Sequence, residues 1–577
     1  MAPMKRFYLI LAGVLAAVFV TGTAFSWAQQ ANNTPKPETS SMTLTKDGAL
    51  DAPLPPIGHS LFIALDTQSG DYVRATLASG DVPVDLRLVD ADGKSLRQLL
   101  TYSTGKGEFQ FIAPAGAIAL KLDRASTDFI PYPVHDNALA GQGEEGAASA
   151  TFQLSIINQV EPARQVAGPE GYHSPMIAGI ANDIAAGNGT DGFWHDVKTA
   201  GSPIIERGVT APGTVLMTFV YRGASRNVRL FGAPSGNHEY LQQLAKSDIW
   251  FKSFTVPDST RLSYQLAPDV PDLPGSPRDR RIAILSTAQM DPLNQHPWPE
   301  TGADRFNTQS TVTLENAPTQ PGVLAGEKNA AIGQGTLTRH MLTSEILHNQ
   351  REAFIYLPPD FDAQNPDNIL LFAFDARTYL GKIQTQAILD NLIGTGQLPP
   401  VVAIFLANPD ADARARELPA NPTFADAMAQ EFLPWATTQT GITANPARTI
   451  IAGSSYGGLA AVTVALRHPQ VFGNALSMSG SFWWHPANSP ADRQEYVASQ
   501  VVENPVVPVR IFLGAGLFET GHSGVGGIID TNRHLRDVLR ARNYDVQYRE
   551  YAGGHDHFVW RGVLGDGLLA LFGKDAP

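Results

Sequence analysis

The ten residues TIIAGSSYGG, at positions 449–458, decide the fold of this chain. Residues 449–452 are apolar and indicate a short buried strand. Residues 453–457 then match the pattern G-x-S-x-G and precede a helical stretch at 458–466. A nucleophile on a tight strand-to-helix turn tolerates little bulk beside it, which explains the flanking glycines. This context predicts a catalytic serine at Ser455, with the neighbouring Ser454 as the alternative.

The chain around this motif alternates strands with helices. Apolar runs at 368–374, 401–406 and 509–513 have the composition of strands buried on both faces, and 424–435 has a helical pattern. The alternation predicts an α/β-hydrolase domain over residues 321–577, with a mostly parallel sheet and helices on both of its faces.

A serine nucleophile needs a general base and an acid that orients it. In the α/β-hydrolase chain order, the base follows the last strand, where the sequence GGHDH occupies 553–557. We assign the base to His555, with His557 as the rival. The acid is predicted on the loop after 509–513 as Glu519. Asp530, or a dyad without an acid, stays open.

The oxyanion hole of such an enzyme is built from backbone N–H groups. One donor is the residue after the nucleophile, Tyr456. The second is expected from the loop after the strand at 368–374, which points to Ala376 or Arg377.

Two β-rich regions precede the hydrolase domain. Short alternating segments at residues 59–160 predict a β-sandwich, and those at 192–320 predict an immunoglobulin-like β-domain. The Gly-, Ala- and Pro-rich residues 161–191 are predicted to form a linker.

The N-terminus has the features of an export signal. Lys5 and Arg6 precede an apolar run that ends in Ser26-Trp27-Ala28, so residues 1–28 are predicted to be a cleaved signal peptide, with residues 29–58 as a flexible leader. We expect an exported protein, in the periplasm or secreted, without a membrane span after signal removal.

Composition excludes several functional classes. A net charge of -13 argues against nucleic acid as a partner, because binding phosphates requires clustered Lys and Arg. The absence of cysteine excludes disulfides and thiol nucleophiles. No HExxH pattern is present, so we predict neither a metal nor a cofactor.

Further motifs resemble those of the enterochelin esterase family. In the hydrolase region they are Arg414-x-x-Glu417-Leu418 with Asn421 and Phe424, SMSGSFWW at 477–484, and GGHD at 553–556 followed by Trp560-Arg561. Upstream, similar motifs are Phe193-Trp194, GNHE at 236–239 and DPLN at 291–294. The resemblance covers about residues 190–577 and leaves residues 30–160 outside it.

The resemblance implies a serine esterase that opens the trilactone of a catecholate siderophore, with a free or iron-bound small molecule as its partner. It also implies that arginines bind the anionic catecholate and that tryptophans stack on its rings. The residues concerned are Arg414, Arg416, Arg561, Trp483, Trp484 and Trp560. Alternative readings are an ion pair between Arg414 and Glu417, and core packing of the tryptophans.

Two alternative functions remain open at this point. One is an esterase for acetylated or feruloylated carbohydrate or another aryl ester, since Ser455 would serve these equally. The other is a non-catalytic binding protein with a hydrolase-like fold. The sequence leaves the oligomeric state open.

Overall fold

The first described region of the chain is a β-sandwich. The computed structural model describes residues 42–46, 48–116, 118–125, 134–136 (backbone only), 150–162, 172–300, 302–323, 333–490, 493–521 and 526–574, and the predicted signal peptide lies outside them. The strands are β1 Thr43–Leu44, β2 Ala49–Pro53, β3 Ser60–Leu65, β4 Tyr72–Ala78, β5 Val84–Asp90, β6 Ser95–Ser103, β7 Lys106–Ile112, β8 Ile118–Arg124, β9 Val134–Asp136 and β10 Thr151–Val160. One sheet has the order β1-β3-β8-β5-β6 and the other β2-β10-β4-β7. Their alternating apolar residues, among them Ile63, Leu86 and Phe109, meet in one core.

The predicted leader at 29–58 is wrong for its described residues. Strand β1 pairs with β3, and β2 pairs with β10. Leu44, Ala52 and Leu54 are buried in the sandwich core. The Pro- and Thr-rich composition suggested a flexible segment, but these apolar side chains and an edge position that tolerates proline make short strands stable there.

The second region combines a curved antiparallel sheet with three helices in the described residues. Its elements are α1 Pro175–Ala185, α2 Asp191–Ala200, β11 Ile204–Glu206, β12 Thr214–Arg222, β13 Val228–Gly232, β14 Tyr240–Gln243, β15 Ile249–Pro257, β16 Arg261–Pro268, α3 Pro277–Leu285, β17 Pro297–Trp298 and β18 Gln309–Thr313. The strand order is β11-β12-β15-β14-β13-β16-β18-β17. The prediction of an immunoglobulin-like domain implied two separate sheets, but β14 pairs with β13 through its first half and with β15 through its second. The two ends of the continuous sheet still face one another, because the rings of Phe219 and Tyr264, on β12 and β16, lie 4.7 Å apart.

Part of the predicted linker at 161–191 is a helix. Helix α1 is capped by Ser174, whose hydroxyl accepts a hydrogen bond from the Ile177 N–H. Ile177 and Ile180 pack against Phe193 and Trp194 of α2. The apolar spacing of this short segment is therefore an amphipathic pattern, which its Gly and Ala content obscured.

The third region contains the sheet that holds Ser455. Its elements are β19 Thr336–Ser344, β20 Asn349–Leu357, β21 Ile369–Ala373, α4 Ala376–Gly381, α5 Thr385–Gly394, β22 Val401–Leu406, α6 Ala411–Glu417, α7 Pro422–Ala427, α8 Leu433–Thr440, β23 Thr449–Ser454, α9 Tyr456–Arg467, β24 Asn474–Met478, α10 Tyr496–Glu503, β25 Arg510–Gly516, α11 Ile528–Ala541, β26 Asp545–Tyr551 and α12 His557–Phe572. The strand order is β26-β25-β24-β23-β21-β22-β20-β19-β9. The sheet is mixed: β20 is antiparallel to both β22 and β19, whereas β26 through β22 are parallel neighbours.

Apolar side chains cover both faces of the central strands. On β21, Leu370 and Phe372 join the core on one face, and Ile369 and Leu371 join the core on the other. Because these strands are parallel, their carboxyl ends meet at one edge of the sheet, where Ser455, Glu519 and His555 follow β23, β25 and β26. No helix within the described ranges has the length and apolarity that a membrane span requires.

Candidate active site

Ser455 lies on a sharp turn between β23 and α9. Its backbone has φ 57° and ψ −121°, a conformation that a residue with a side chain rarely adopts. A Cβ at Gly453 would lie 2.3 Å from the backbone of Gly457, so only glycine fits there. The Ser455 N–H donates to the Met478 carbonyl at 3.0 Å, which ties the turn to the end of β24. This geometry holds the Ser455 hydroxyl above the sheet edge, as the G-x-S-x-G pattern requires.

The hydroxyl of Ser455 has a polar neighbour that the sequence did not indicate. Its Oγ lies 3.4 Å from the Oγ of Ser481, on the segment after β24. The Ser481 N–H also donates to the Ser455 carbonyl, at 3.2 Å. Ser454, the alternative nucleophile, is 3% exposed and so is enclosed by the fold.

The two predicted oxyanion donors are both first residues of helices. Tyr456 begins α9 and Ala376 begins α4, so neither N–H has a partner within its helix. The preceding residue, Asp375, adopts φ 54° and ψ 47°, and its carbonyl accepts from Thr378 at 2.8 Å. The N–H groups of Ala376 and Arg377, at the start of α4, follow β21 at the same sheet edge as Tyr456, and Ala376 itself is buried.

Glu519 and His555 are joined by a short hydrogen bond. His555 Nδ1 lies 2.6 Å from Glu519 Oε1, while Glu519 Oε2 accepts the Gly516 N–H at 2.6 Å. The Glu519 side chain is 1% exposed, and that of His555 is 38% exposed. The buried carboxylate therefore holds the ring by Nδ1, which leaves Nε2 as the nitrogen that can act as a general base.

The rival residues occupy other environments. The Asp530 carboxylate accepts the Gly527 N–H at 3.0 Å and caps α11. His557 begins α12 with its ring against Trp560, 5.1 Å between centroids. Burial, together with the nearby charge of Lys382, lowers the pKa of His557 to about 3. A group with so low a pKa is a poor proton acceptor at neutral pH.

A cleft of about 490 Å³ opens beside His555, between the second region and the sheet edge. Its walls from the third region include Trp483, Phe518, Glu519 and His555. The second region contributes the stacked rings of Phe231 and His238, together with Arg281, Ser263 and Gln309. Buried Ser263 Oγ and Gln309 Oε1 have no protein partner. The cleft thus combines aromatic walls with the positive charge of Arg281.

Comparison with known proteins identifies the family of this fold and site. The Enterochelin esterase, N-terminal family model matches residues 216–323, and the Esterase family model matches residues 344–571. The iron(III) enterobactin esterase of Dickeya dadantii is 30% identical over 448 residues, which cover 71% of this chain and 98% of that protein. The chain belongs to the enterochelin esterase family. It is therefore a hydrolase acting on esters.

Other relatives agree with this assignment. The iron(III) salmochelin esterase of Escherichia coli O6:H1 is 28% identical, covering 70% of this esterase and 98% of the relative. The crystal structure of the enterobactin esterase from Shigella flexneri in the presence of enterobactin superposes with a TM-score of 0.53 and 26% identity, over 66% of this chain and 98% of that one. The sandwich, whose described strands begin at Thr43 and end at Val160, precedes both family models.

The predicted substrate-binding tryptophans of this esterase differ in exposure. Trp483 is 38% exposed, lines the cleft, and lies 6.1 Å from the ring of Tyr456. Trp484 is partly buried, with its ring against Tyr496. Trp560 is 5% exposed, and its indole N–H donates to Ser479 Oγ beneath His555. The predicted stacking of Trp560 on substrate is therefore wrong, because its ring supports the imidazole from inside the core.

The predicted arginines also occupy different environments. Arg414 forms a bidentate ion pair with Asp375, at 2.7 and 2.8 Å. Asp375 and Ala376 form the turn after β21, which is called the oxyanion turn below. The alternative partner, Glu417, instead pairs with buried Arg351 at 2.9 Å. Arg416 is exposed on the same short helix as Arg414.

Arg561 lies between regions rather than in the cleft. Its guanidinium stacks over Phe558 at 4.1 Å, and its Nε donates to Gln320 Oε1 at 2.8 Å. Burial, with the nearby charge of Arg261, lowers its pKa to about 10. Arg561 is therefore packed between regions, and this position does not support the predicted contact with substrate.

Buried Asp556 is a site residue whose position the sequence did not explain. It caps α12 by accepting the Val559 N–H at 3.0 Å, and it accepts the Ser263 N–H of β16 at 3.2 Å. Burial raises its pKa to about 6. This carboxylate connects the loop of His555 to the second region. The GGHD motif marks the position of Asp556, but no sequence pattern indicates its hydrogen bond with Ser263.

Proposed function

We propose that this protein is an exported serine esterase that hydrolyses the trilactone backbone of a catecholate siderophore through an acyl-enzyme. The observation that carries the mechanism is the 2.6 Å hydrogen bond between Glu519 and His555 at the sheet edge that also holds Ser455. The observation that supports the substrate is the family of relatives named as iron(III) enterobactin and salmochelin esterases.

The proposed reaction begins with transfer of the Ser455 proton. The hydroxyl turns from Ser481, donates its proton to His555 Nε2, and its oxygen attacks the ester carbonyl. The N–H groups of Tyr456 and of Ala376 or Arg377 stabilise the resulting oxyanion, and Glu519 stabilises the imidazolium. The proton passes to the departing alkoxide and an acyl-enzyme remains. Water then repeats the sequence, releasing a carboxylic acid and free Ser455.

The cleft beside His555 supports this proposal, because its lining residues suit the catecholate arm of the substrate. Trp483 and the stacked Phe231 and His238 offer apolar faces to an aromatic ring. Arg281 supplies positive charge, which matters in a chain of net charge -13 because the overall field repels an anion.

Export is part of the proposal and rests on residues 1–28 alone. We expect the mature protein to begin at Gln29. Mass spectrometry of the N-terminus of protein recovered from the periplasmic fraction checks this, and a full-length protein confined to the cytoplasm contradicts it.

The test of function is hydrolysis of apo and ferric enterobactin, followed by mass spectrometry, beside a short-chain aryl ester. Wild-type protein should form linear trimer, dimer and monomer in steps, and Ser455→Ala should form none. Cleavage of the aryl ester with the trilactone untouched would retain the serine mechanism and reject the siderophore. Failure to cleave any ester or to react with a fluorophosphonate probe would reject both.

A further inference from the structure

Strand β6 of the first sandwich contacts both of the other regions. Strands β6 and β7 are edge strands of different sheets, and the turn that joins them, residues 102–105, is called the tip below. Near the start of β6, buried Arg97 lies against the second region and donates to the carbonyls of Ser286 and Leu285 at 2.5 and 2.8 Å. The Gln98 N–H donates to Asp304 at 2.7 Å. With β6 fixed in this way, the tip is presented to the third region.

At the tip, Tyr102 contacts Arg377, one of the two candidate oxyanion donors that follow β21. The guanidinium of Arg377 lies over the Tyr102 ring, 3.6 Å from its centroid. Arg377 also pairs with Glu352 of β20, and the Tyr102 hydroxyl donates to the same carboxylate at 3.2 Å. Arg339 of β19 completes the cluster, 3.3 Å from Glu352. Arg377 is therefore held from one side by the sheet and from the other by the sandwich.

The rest of the tip contacts the neighbouring active-site loop, which follows β22. The Thr104 hydroxyl donates to the Pro409 carbonyl at 2.8 Å. Gly105, at φ 63°, packs so closely that a Cβ there would lie 3.0 Å from the Cβ of Asp410. Asp410 in turn caps α6, the helix that carries Arg414, by accepting the Ala413 N–H at 2.6 Å.

The two loops that the tip contacts are joined to each other beside Ser455. Asp375, at the oxyanion turn, accepts hydrogen bonds from Asn408 at 2.5 Å and from Arg414 at 2.7 Å. Gly457, two residues after the nucleophile, would place a Cβ 3.7 Å from the Asp375 carboxylate. A displacement of either loop would therefore move the Ala376 and Arg377 N–H groups relative to Ser455.

We propose that the tip between β6 and β7 is a positioning element of the esterase. Tyr102 and Thr104 hold the loops at 375–377 and 408–414 so that the oxyanion donors stay aligned with Ser455. The sandwich thus contributes to turnover without touching substrate, although it precedes both family models. The catalytic consequence rests on the serine-esterase mechanism proposed above, whereas the effect on the loops does not.

The catalytic test compares Tyr102→Ala, Tyr102→Phe and Thr104→Val by steady-state kinetics on an aryl ester. Oxyanion donors act on the transition state, so Tyr102→Ala should lower kcat about tenfold and change KM less than twofold. Tyr102→Phe keeps the ring over Arg377 and should recover most of kcat. The matched control is Thr101→Ala, which alters the exposed neighbour of Tyr102 and should behave as wild type.

The structural test measures backbone hydrogen exchange by mass spectrometry and needs no substrate. Tyr102→Ala should speed exchange at least severalfold in peptides that cover 375–381 and 408–417, and Thr101→Ala should not. Unchanged exchange there would overturn the positioning role even in an active enzyme. Faster exchange with unchanged kcat on the aryl ester would overturn its catalytic consequence. If no ester is hydrolysed by wild type, the proposed function fails, while exchange still decides whether the tip holds the loops.

Discussion

At the residue scale, the sharp turn at Ser455 was predictable because a strained backbone position leaves a local sequence signal. A Cβ at position 453 would lie 2.3 Å from the backbone of Gly457, so glycine is required there and forms part of a recognisable motif. Residues that are far apart in the sequence and meet only when the chain folds leave no such signal. The pairing of Arg414 with Asp375, 39 positions away, is an example. Trp560 was misassigned because α12 is apolar almost all round, so its sequence does not indicate which side faces the cleft.

The assignment of Glu519 as the orienting acid predicts a specific loss of turnover. Glu519→Gln keeps the shape of the side chain but removes the negative charge that stabilises the imidazolium and selects its tautomer. We expect kcat on an aryl ester to fall by about 10²–10⁴ with little change in KM. The matched control is Asp530→Asn, which weakens only the cap of α11 and should retain kcat. Equal losses in both variants would remove Glu519 from the mechanism.

Buried Asp556 predicts a pH dependence of stability. Its pKa in the folded protein is raised to about 6 by burial, against about 3.9 in an unfolded chain. The folded state therefore binds the proton more tightly, and the stabilisation, present in full below pH 4, is lost as pH rises through 6. Asp556→Asn cannot titrate. Between pH 4 and pH 7, the free energy of unfolding of Asp556→Asn minus that of wild type should rise by roughly 3 kcal/mol at most.

Urea unfolding of both proteins at the two pH values measures this difference. Taking the variant minus the wild type at each pH cancels the other titrating groups, so no separate control protein is needed. A difference that is the same at pH 4 and pH 7 would show that the Asp556 carboxyl has no raised pKa in the fold.

At the element scale, the strands near the nucleophile were the most predictable, since both faces of each are buried and their sequences are continuously apolar. The predicted strand at 449–452 lies within β23, and that at 401–406 coincides with β22. Strands β6 and β7 were missed, because each mixes charged and polar residues with apolar ones and one of them bonds across to another region through Arg97. Their burial is created by docking, which local patterns do not report.

The segment after β24 gives a prediction about substrate binding. Trp483 is exposed in the cleft, whereas the adjacent Trp484 packs against Tyr496. If an aromatic arm of the siderophore stacks on Trp483, Trp483→Ala should raise KM for enterobactin about 5- to 10-fold and leave KM for an acetate ester unchanged. Trp484→Phe is the comparison variant and should change neither KM. A KM for enterobactin that stays at the wild-type value in Trp483→Ala would place the catechol elsewhere.

At the scale of the whole molecule, the three regions are connected by polar contacts that no motif records. The Ser263 N–H bonds to Asp556 between the second and third regions, and backbone pairing of β9 with β19 adds residues of the first region to the edge of the catalytic sheet. Each region has a core of its own in the described residues. The contacts between regions depend on single residues such as Arg97 and Tyr102, whose partners lie more than 180 positions away.

Arg97 provides the test of whether the sandwich is held firmly enough to act on the active site. It is 8% exposed, donates to two carbonyls of the second region, and lies 4.0 Å from the centroid of Phe306. Arg97→Ala leaves these buried acceptors unpaired, so we expect a loss of about 2–4 kcal/mol and a fall in Tm of several degrees by calorimetry. Arg87→Ala on the adjacent strand β5 removes an ion pair with Asp123 that is partly exposed, and should shift Tm by about 1 °C or less.

The same substitution should affect the active site if the tip between β6 and β7 positions its loops. Loosening the base of β6 releases the tip, so Arg97→Ala should lower kcat on an aryl ester in the same direction as Tyr102→Ala, while Arg87→Ala should not. A fall in Tm without any change in kcat would mean that the sandwich is docked through Arg97 but that its docking is independent of turnover. A fall in both Tm and kcat, with KM preserved, is the result expected of a domain that acts on the loop at 375–377 through the tip between β6 and β7.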